Sequence, residues 1–321
     1  MNLIPDTIDW SQYEAETEET SKVKPAADFL AAMIDMVGKP RGREIGAKMP
    51  WEKTHNVFAF RPGEVTLWGG VNGHGKSAIS GMAGLSIMAQ NEKVGIASFE
   101  MKPMKTLDRM TRQQAGQDLD CSMHPEEAPV IREILDDFRA FTSDKLWFYD
   151  QQGTVTPQKI VAVVRYMCKV LGIKHVFVDS LMKCVKDDDD YNGQKHVVDE
   201  FCAIAKDYDA HIHLVHHLRK GNKESDLPDK SDVKGAGSIV DQVDNLLLVW
   251  RNKPKEDELA AGKYEKAEEP DSVVFCKKQR NGTGWEGPIR LWFHKPSMQY
   301  VGAPGMLLDM AAWPHRERAN Q

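Results

Sequence analysis

The 321-residue chain contains no apolar run near the roughly 20 residues that a membrane span needs. Its start, "MNLIPDTIDW", lacks both the basic opening and the apolar stretch of a secretory leader. The expectation is a cytoplasmic protein with no membrane partner. Cysteine is scarce and shows no pairing pattern: Cys121, Cys168, Cys184, Cys202 and Cys276 are odd in number, scattered, and form no C-x-x-C pair. That argues against a disulfide framework and a zinc ribbon, and it fits a reducing compartment. Positive charge is missing from residues 1–21, which hold Asp6, Asp9, Glu14, Glu16, Glu18 and Glu19 and no Lys or Arg. This segment supplies the whole formal net charge of −6, so the rest of the chain is balanced. Net acidity therefore does not exclude a nucleic-acid partner. There is no internal repeat and little low complexity.

What is present is the composition of an ordinary globular protein, 41% hydrophobic and 28% charged, long enough for one large domain with appendages. Residues 1–24 read as an acidic mobile tail. In "PAADFLAAMIDMVGKP", Phe29, Leu30, Met33, Ile34 and Val37 repeat at helical spacing between Pro25 and the Gly38/Pro40 stop, which predicts a short amphipathic helix. A basic linker carries it to residue 57. Its apolar stripe packs either on its own domain or on a neighbouring subunit.

From residue 58 to about 302, strands and helices alternate, so the fold class is α/β: a doubly wound, mainly parallel sheet. Strands are predicted at "EVTLWG", "KVGIASF", "KLWFYD", "KHVFVD", "HIHLVH" and "NLLLVW", with helices near 76–90, 103–116, 126–141, 157–171 and 194–208. Past residue 270, "DSVVFCKKQ" and "IRLWF" follow without intervening helices and suggest an antiparallel extension. Residues 303–321 form a C-terminal tail.

The first predicted strand runs into "GGVNGHGKSAIS". Gly70, Gly75, Lys76 and Ser77 fit G-x-x-x-x-G-K-[ST], a phosphate-binding loop in the context of a preceding strand and a following helix. Backbone N–H groups of Gly70, Val71, Asn72, Gly73, His74 and Gly75 would face the phosphates, aided by the helix dipole. Lys76 would neutralise the β- and γ-phosphates of ATP or another NTP, and the Ser77 hydroxyl would help hold Mg²⁺. "HVFVDS" ends in Asp179, about 100 residues later by the same numbering, where a metal-holding carboxylate belongs. The strand ending at Glu100 offers a carboxylate to activate the attacking water. "HIHLVHH" packs four histidines into seven residues. His211, His213 and His217 share one parity but spread along the strand, which argues against a zinc site. His217 at the tip could instead contact the γ-phosphate.

Taken together and in order, "SFEMKP", "VDSLMK", "HHLRKG", "DVKGAGSIVDQVDNLLLVWRNK" and "KKQRNGTG" resemble the hexameric replicative helicases of the DnaB, Twinkle and phage primase-helicase group. The resemblance spans roughly residues 25–300. It implies a RecA-like ATPase core behind an N-terminal linker helix, and a cytoplasmic setting in a bacterium or phage-infected cell. Further, it implies Glu100 as catalytic glutamate, Asp179 as Walker B aspartate and His217 as phosphate sensor. By the same resemblance, Lys278 and Arg280 reach into the neighbouring subunit's ATP site, and Arg251 and Phe293 sandwich the adenine. Alternation agrees that Lys278 and Arg280, two apart, share a side. The matching loop in the family grips single-stranded DNA; here it carries Arg219, Lys220, Lys223 and Lys234, sequence-independent contacts by nature.

The implied partners are single-stranded DNA, other copies of the chain in a ring, most simply a hexamer, and a primase and polymerase on separate chains. Asp187–Asp190 would not suit a DNA-facing loop; a solvated loop or a divalent-cation contact are the two readings. Two rivals remain at this level: a RecA/RadA-type strand-exchange protein, and a non-motor protein that uses ATP only to assemble.

Overall fold

The computed structural model describes residues 46–185, 187, 190–218 and 226–310, with isolated positions 2, 3, 8, 9, 11, 26, 27, 30, 34 and 37. Strands β1 (Asn2–Leu3), β2 (Val65–Gly70), β3 (Val94–Ser98), β4 (Leu146–Tyr149), β5 (His175–Asp179), β6 (His211–His217), β7 (Asn245–Arg251), β8 (Ser272–Gln279), β9 (Gly287–His294) and β10 (Gln299–Val301) form one ten-stranded sheet. Its order is β1-β4-β3-β5-β6-β2-β7-β8-β9-β10. From β1 to β7 every pairing is parallel. From β7 to β10 every pairing is antiparallel. The helices are α1 (Lys76–Ala89), α2 (Pro103–Ala115), α3 (Ala128–Thr142), α4 (Pro157–Lys169), α5 (Tyr191–Asp207), α6 (Ala236–Gln242) and α7 (Lys253–Ala260).

The central strands are near-continuous apolar runs because both sheet faces are covered; β2, β3 and β4 are buried at every position. Alternate residues feed two cores. Leu67, Val176, Val178 and Leu214 face the core under α4, α5 and α6. Trp68, Phe177 and Val215 face the core shared with α1 and β8–β9. On the antiparallel side β9 alternates, with Ile289 and Leu291 inward and Pro288 and Arg290 exposed.

Local signals set the helix ends. Pro103 opens α2 and Gly116, at φ 72°, closes it. Asp190 caps α5 by accepting a hydrogen bond from Gly193 N at 2.9 Å, so one member of the Asp187–Asp190 run is a helix cap. Asp188 and Asp189 lie outside the described residues. No described helix is long and apolar enough to cross a membrane.

Three segments differ from the sequence expectation. Residues 46–57, expected as linker, pack into the core through the fully buried Met49 and Trp51. The Trp51 Nε1 donates to Tyr300 O at 2.7 Å; long-range packing of this kind has no local periodicity to betray it. Asn2 and Leu3, in the expected mobile tail, pair with Trp147 and Phe148 at the sheet edge. His211 and His213 do not merely spread along β6: with His175 of β5 they form a buried cluster, ring centroids 4.6 and 5.5 Å apart. Strand order creates this cluster, because His175 and His211 are cross-strand partners. Of the expected apolar stripe, Leu30, Ile34 and Val37 are solvent-exposed, while Phe29 and Met33 lie outside the described residues.

Candidate functional site

Parallel strands that start level also end level, so their C-terminal tips gather loop residues along one edge. Gly70 pairs with His217, Ser98 with Asp179, and Asp179 with Val215. This register brings Lys76, Ser77, Glu100, Asp179 and His217 to one place.

Lys76 is buried at the start of α1. Its ammonium donates to Gly70 O at 2.8 Å and Val71 O at 3.2 Å. Burial pulls its pKa down, and the charges of Asp179 and Glu100 pull it back up. Gly75 precedes α1 at φ 88°, a left-handed conformation, and a Cβ there would stand 2.3 Å from the Tyr300 hydroxyl. Gly73 also has positive φ, 79°. The loop therefore needs its glycines for backbone reasons.

The Ser77 hydroxyl donates to Asp179 Oδ2 at 2.6 Å. Burial raises the Asp179 pKa, opposed first by that hydrogen bond. Glu100 Oε1 accepts from the Ser180 hydroxyl at 3.0 Å and lies 3.3 Å from His217 Nε2. These contacts, His217 first, hold the Glu100 carboxyl down at about 2. His217 Nδ1 lies 3.3 Å from the Lys76 ammonium. An ammonium can only donate, so Nδ1 accepts and Nε2 carries the proton toward Glu100. One imidazole thus links the loop lysine to the candidate base.

The same strand reaches the expected DNA loop. Leu218 and Val233 form an antiparallel bridge at its base, and His216 Nε2 lies 2.9 Å from Lys234 O. Arg219, Lys220 and Lys223 lie outside the described residues.

Beside the loop, Arg251 donates through Nη1 to Gly73 O at 3.2 Å and pairs with Glu256 through Nε. His74 is buried and its Nδ1 accepts from Arg251 N at 3.4 Å. Phe293, 37% exposed, sits with its ring 4.9 Å from that of Tyr300. Tyr300 thus joins the expected base-binding pair to the glycine loop. Nothing in the sequence marks Tyr300, because the three-residue β10 is too short to show a period.

Lys278 and Arg280 are elsewhere. Gln279 pairs with Asn245 at the start of β7, whereas Gly70 pairs with Val249. The pair therefore lies about four residues of strand, roughly 13 Å, from the loop edge. Both contact the C-terminal end of α6. Lys278 Nζ donates to Val240 O at 2.6 Å, Val243 O at 2.7 Å and Asp241 O at 3.1 Å. Arg280 pairs with Asp244 at 3.1 Å and donates to Asp241 O at 2.6 Å.

A glycine turn at positive φ, a lodged lysine and a Ser–Asp oxygen pair fit a nucleotide polyphosphate with a hard divalent cation. Residues 54–302 match the family described as DnaB-like helicase C terminal domain. Among solved structures, the "ATPase Domain of G40P" superposes with a TM-score of 0.72 at 16% identity, over 87% of this chain and 99% of that one. "The Structure Of A DnaB-Like Replicative Helicase And Its Interactions With Primase" superposes with a TM-score of 0.68 at 16% identity, over 87% of this chain and 67% of that one. At that identity the superpositions establish the fold, which is the RecA-like ATPase architecture.

Proposed function

The chain belongs to the family of DnaB-like helicase C-terminal domains, and on that premise we propose that it is the ATP-driven motor of a ring-shaped replicative helicase. It binds ATP between subunits, moves along single-stranded DNA and separates duplex, most simply as a hexamer with primase and polymerase supplied separately.

The observation that carries this reading is the division of the catalytic parts between two edges of one sheet. Lys76, Ser77, Glu100, Asp179 and His217 share one edge; Lys278 and Arg280 share the other. A cation that stabilises charge during phosphoryl transfer must reach the phosphates. Arg280 reaches them only from a neighbouring copy. That contact is head-to-tail, and such contacts make rings when their rotation closes.

In this scheme Lys76 neutralises phosphate charge, and Glu100 takes the proton of the attacking water. Ser77 and Asp179 would hold Mg²⁺, which supplies charge neutralisation and orientation of the polyphosphate. Arg251 and Phe293 flank the base. His217 exchanges its contact with Glu100 for the γ-phosphate, and β6 carries that change to the loop base at Leu218 and Lys234. Arg219, Lys220, Lys223 and Lys234 grip the DNA backbone, and the stripe around Leu30, Ile34 and Val37 packs on the next subunit.

The test is a mixture. Arg280→Ala and Lys76→Ala subunits are each inactive alone, losing about 10³–10⁵ in rate for the arginine. Mixed where rings exchange subunits, some interfaces join an intact Lys76 to an intact Arg280 and recover ATPase activity. Rings shown by mass to be mixed, yet no more active than the parents, refute the interface mechanism. Unwinding of forks with a 5′ or a 3′ tail reads out motor function, and long filaments in electron micrographs would favour the strand-exchange alternative.

A further inference from the structure

Buried cations in this fold have partners. Arg165 pairs with Glu200 at 3.0 Å, Lys255 with Asp271 at 2.8 Å, and Lys76 donates to two carbonyls. Arg109 of α2, half-buried, is held less well among the described residues. Its Nε is buried with no hydrogen-bond partner. Its guanidinium contacts Met101 Sδ at 3.6 Å, a weak acceptor, and the charges that favour it are those of Asp179 and Tyr300, with no close ion pair to a described residue. Arg109 lines a cavity of about 30 Å³ between α1 and α2, together with Ser77, Ser98, Thr106 and Asp179. A water needs about 10–15 Å³ of such space, so the cavity has room for about two.

A guanidinium does not escape burial by losing its proton. A half-buried cation with an unbonded, buried Nε, offset by the Asp179 charge, is a cost to the folded state. That cost is recovered when an anion arrives, and the neighbouring Ser77–Asp179 pair marks where the anion comes.

We propose that Arg109 is the counter-charge, on α2, for the nucleotide polyphosphate: a positioning residue that acts across the cavity, through Asp179, and fixes α2 against the loaded site. This rests on the nucleotide reading given above. It predicts two effects of opposite sign. Removing the charge relieves the empty protein and weakens the loaded one.

The experiment uses the full chain with Arg109→Met and Arg109→Lys. Thermal unfolding is followed without nucleotide. Calorimetry then gives the affinity for a non-hydrolysable ATP analogue with Mg²⁺. Arg109→Met is expected to unfold at the same or a higher temperature than the parent when empty, to bind the analogue at least tenfold more weakly, and to show a smaller stabilisation by it. Arg109→Lys keeps the charge and falls between. A lower unfolding temperature for empty Arg109→Met, including failure to fold, makes Arg109 structural and overturns the proposal. So does unchanged affinity. Failure of the parent chain itself to bind the analogue would instead overturn the nucleotide reading of the site.

Discussion

Lowering the pH from 7.5 to 5.0 should destabilise this protein through its buried histidines. His175, His211 and His213 are fully enclosed between β5, β6 and the Phe60, Trp68 and Phe177 rings. They are wired as neutral groups: His175 Nδ1 lies 3.2 Å from His213 Nε2, Trp68 Nε1 donates to His213 Nδ1 at 3.4 Å, and His211 Nε2 lies 2.8 Å from the Thr66 hydroxyl. Burial is the leading cause that holds His211 down at about 3, His216 at about 4, and His175 and His213 well below 6.5. The folded pKa values lie below the unfolded value, so the unfolded chain binds more protons as the pH falls below 6.5. Stability is therefore complete above pH 6.5 and is lost on acidification toward the folded pKa values. Each such histidine costs about 1.36 kcal/mol per pH unit in that window. From pH 6.5 to 5.0 that is about 2 kcal/mol each and about 8 kcal/mol for the four, comparable to the roughly 5–15 kcal/mol that holds a typical domain folded. Glu64 and Asp179, whose carboxyls burial pushes upward, act in the opposite direction but only as the pH nears the carboxylate range. Urea unfolding followed by tryptophan fluorescence and circular dichroism should give a midpoint that is flat from pH 7.5 to 6.5 and falls steeply by pH 5.0. His175→Gln should make the fall about a quarter shallower. A midpoint unchanged down to pH 5.0, or imidazole carbon shifts of these histidines titrating near 6.5 in the folded protein, would refute the reasoning.

Glu100→Gln should keep nucleotide binding but slow hydrolysis by about 10²–10⁴-fold, since the amide cannot take a proton; steady-state turnover beside calorimetric affinity checks this, and lost binding with normal turnover per bound nucleotide would make Glu100 structural. Gly75→Ala should weaken Mg–nucleotide binding and lower the melting temperature, because φ 88° and the Tyr300 hydroxyl both oppose a Cβ; Gly75→Ala with Tyr300→Phe should restore part of the loss. Deleting residues 1–38 should reduce the oligomer mass in light scattering while the core still melts cooperatively; an unchanged mass would place the apolar stripe on its own subunit.

What the sequence made legible was what is written locally. A strand, a glycine turn and a helix announced Lys76 and Ser77, and two apolar strands ending in carboxylates announced Glu100 and Asp179. Alternation correctly placed His211 and His213 on one face, but their partner His175 depended on β5 lying beside β6, which no local pattern encodes. Tyr300 and Arg109 were illegible for the same reason: each matters because distant elements bring it against the glycine loop or the Ser77–Asp179 pair. Residues 46–57 read as linker because their burial has no helical or strand period.

The proposed interface residues show the limit most clearly. Alternation over "KKQRNG" indicated that Lys278 and Arg280 share a side, and both do contact the end of α6. It could not indicate which edge of the sheet that side belongs to. Because β8 runs antiparallel to β7, its end returns to the edge where the parallel strands begin. The switch from parallel to antiparallel pairing at β7–β8 thus moves the two cations away from their own nucleotide loop. Lys278 and Arg280 also end on α6, the helix that leads out of the expected DNA loop. A cation that leaves Asp244 to reach a neighbour's phosphates would release the C-terminal end of that helix. In the proposed ring, then, the contact that completes one subunit's ATP site would be made by the residues that hold the end of α6 in the next subunit.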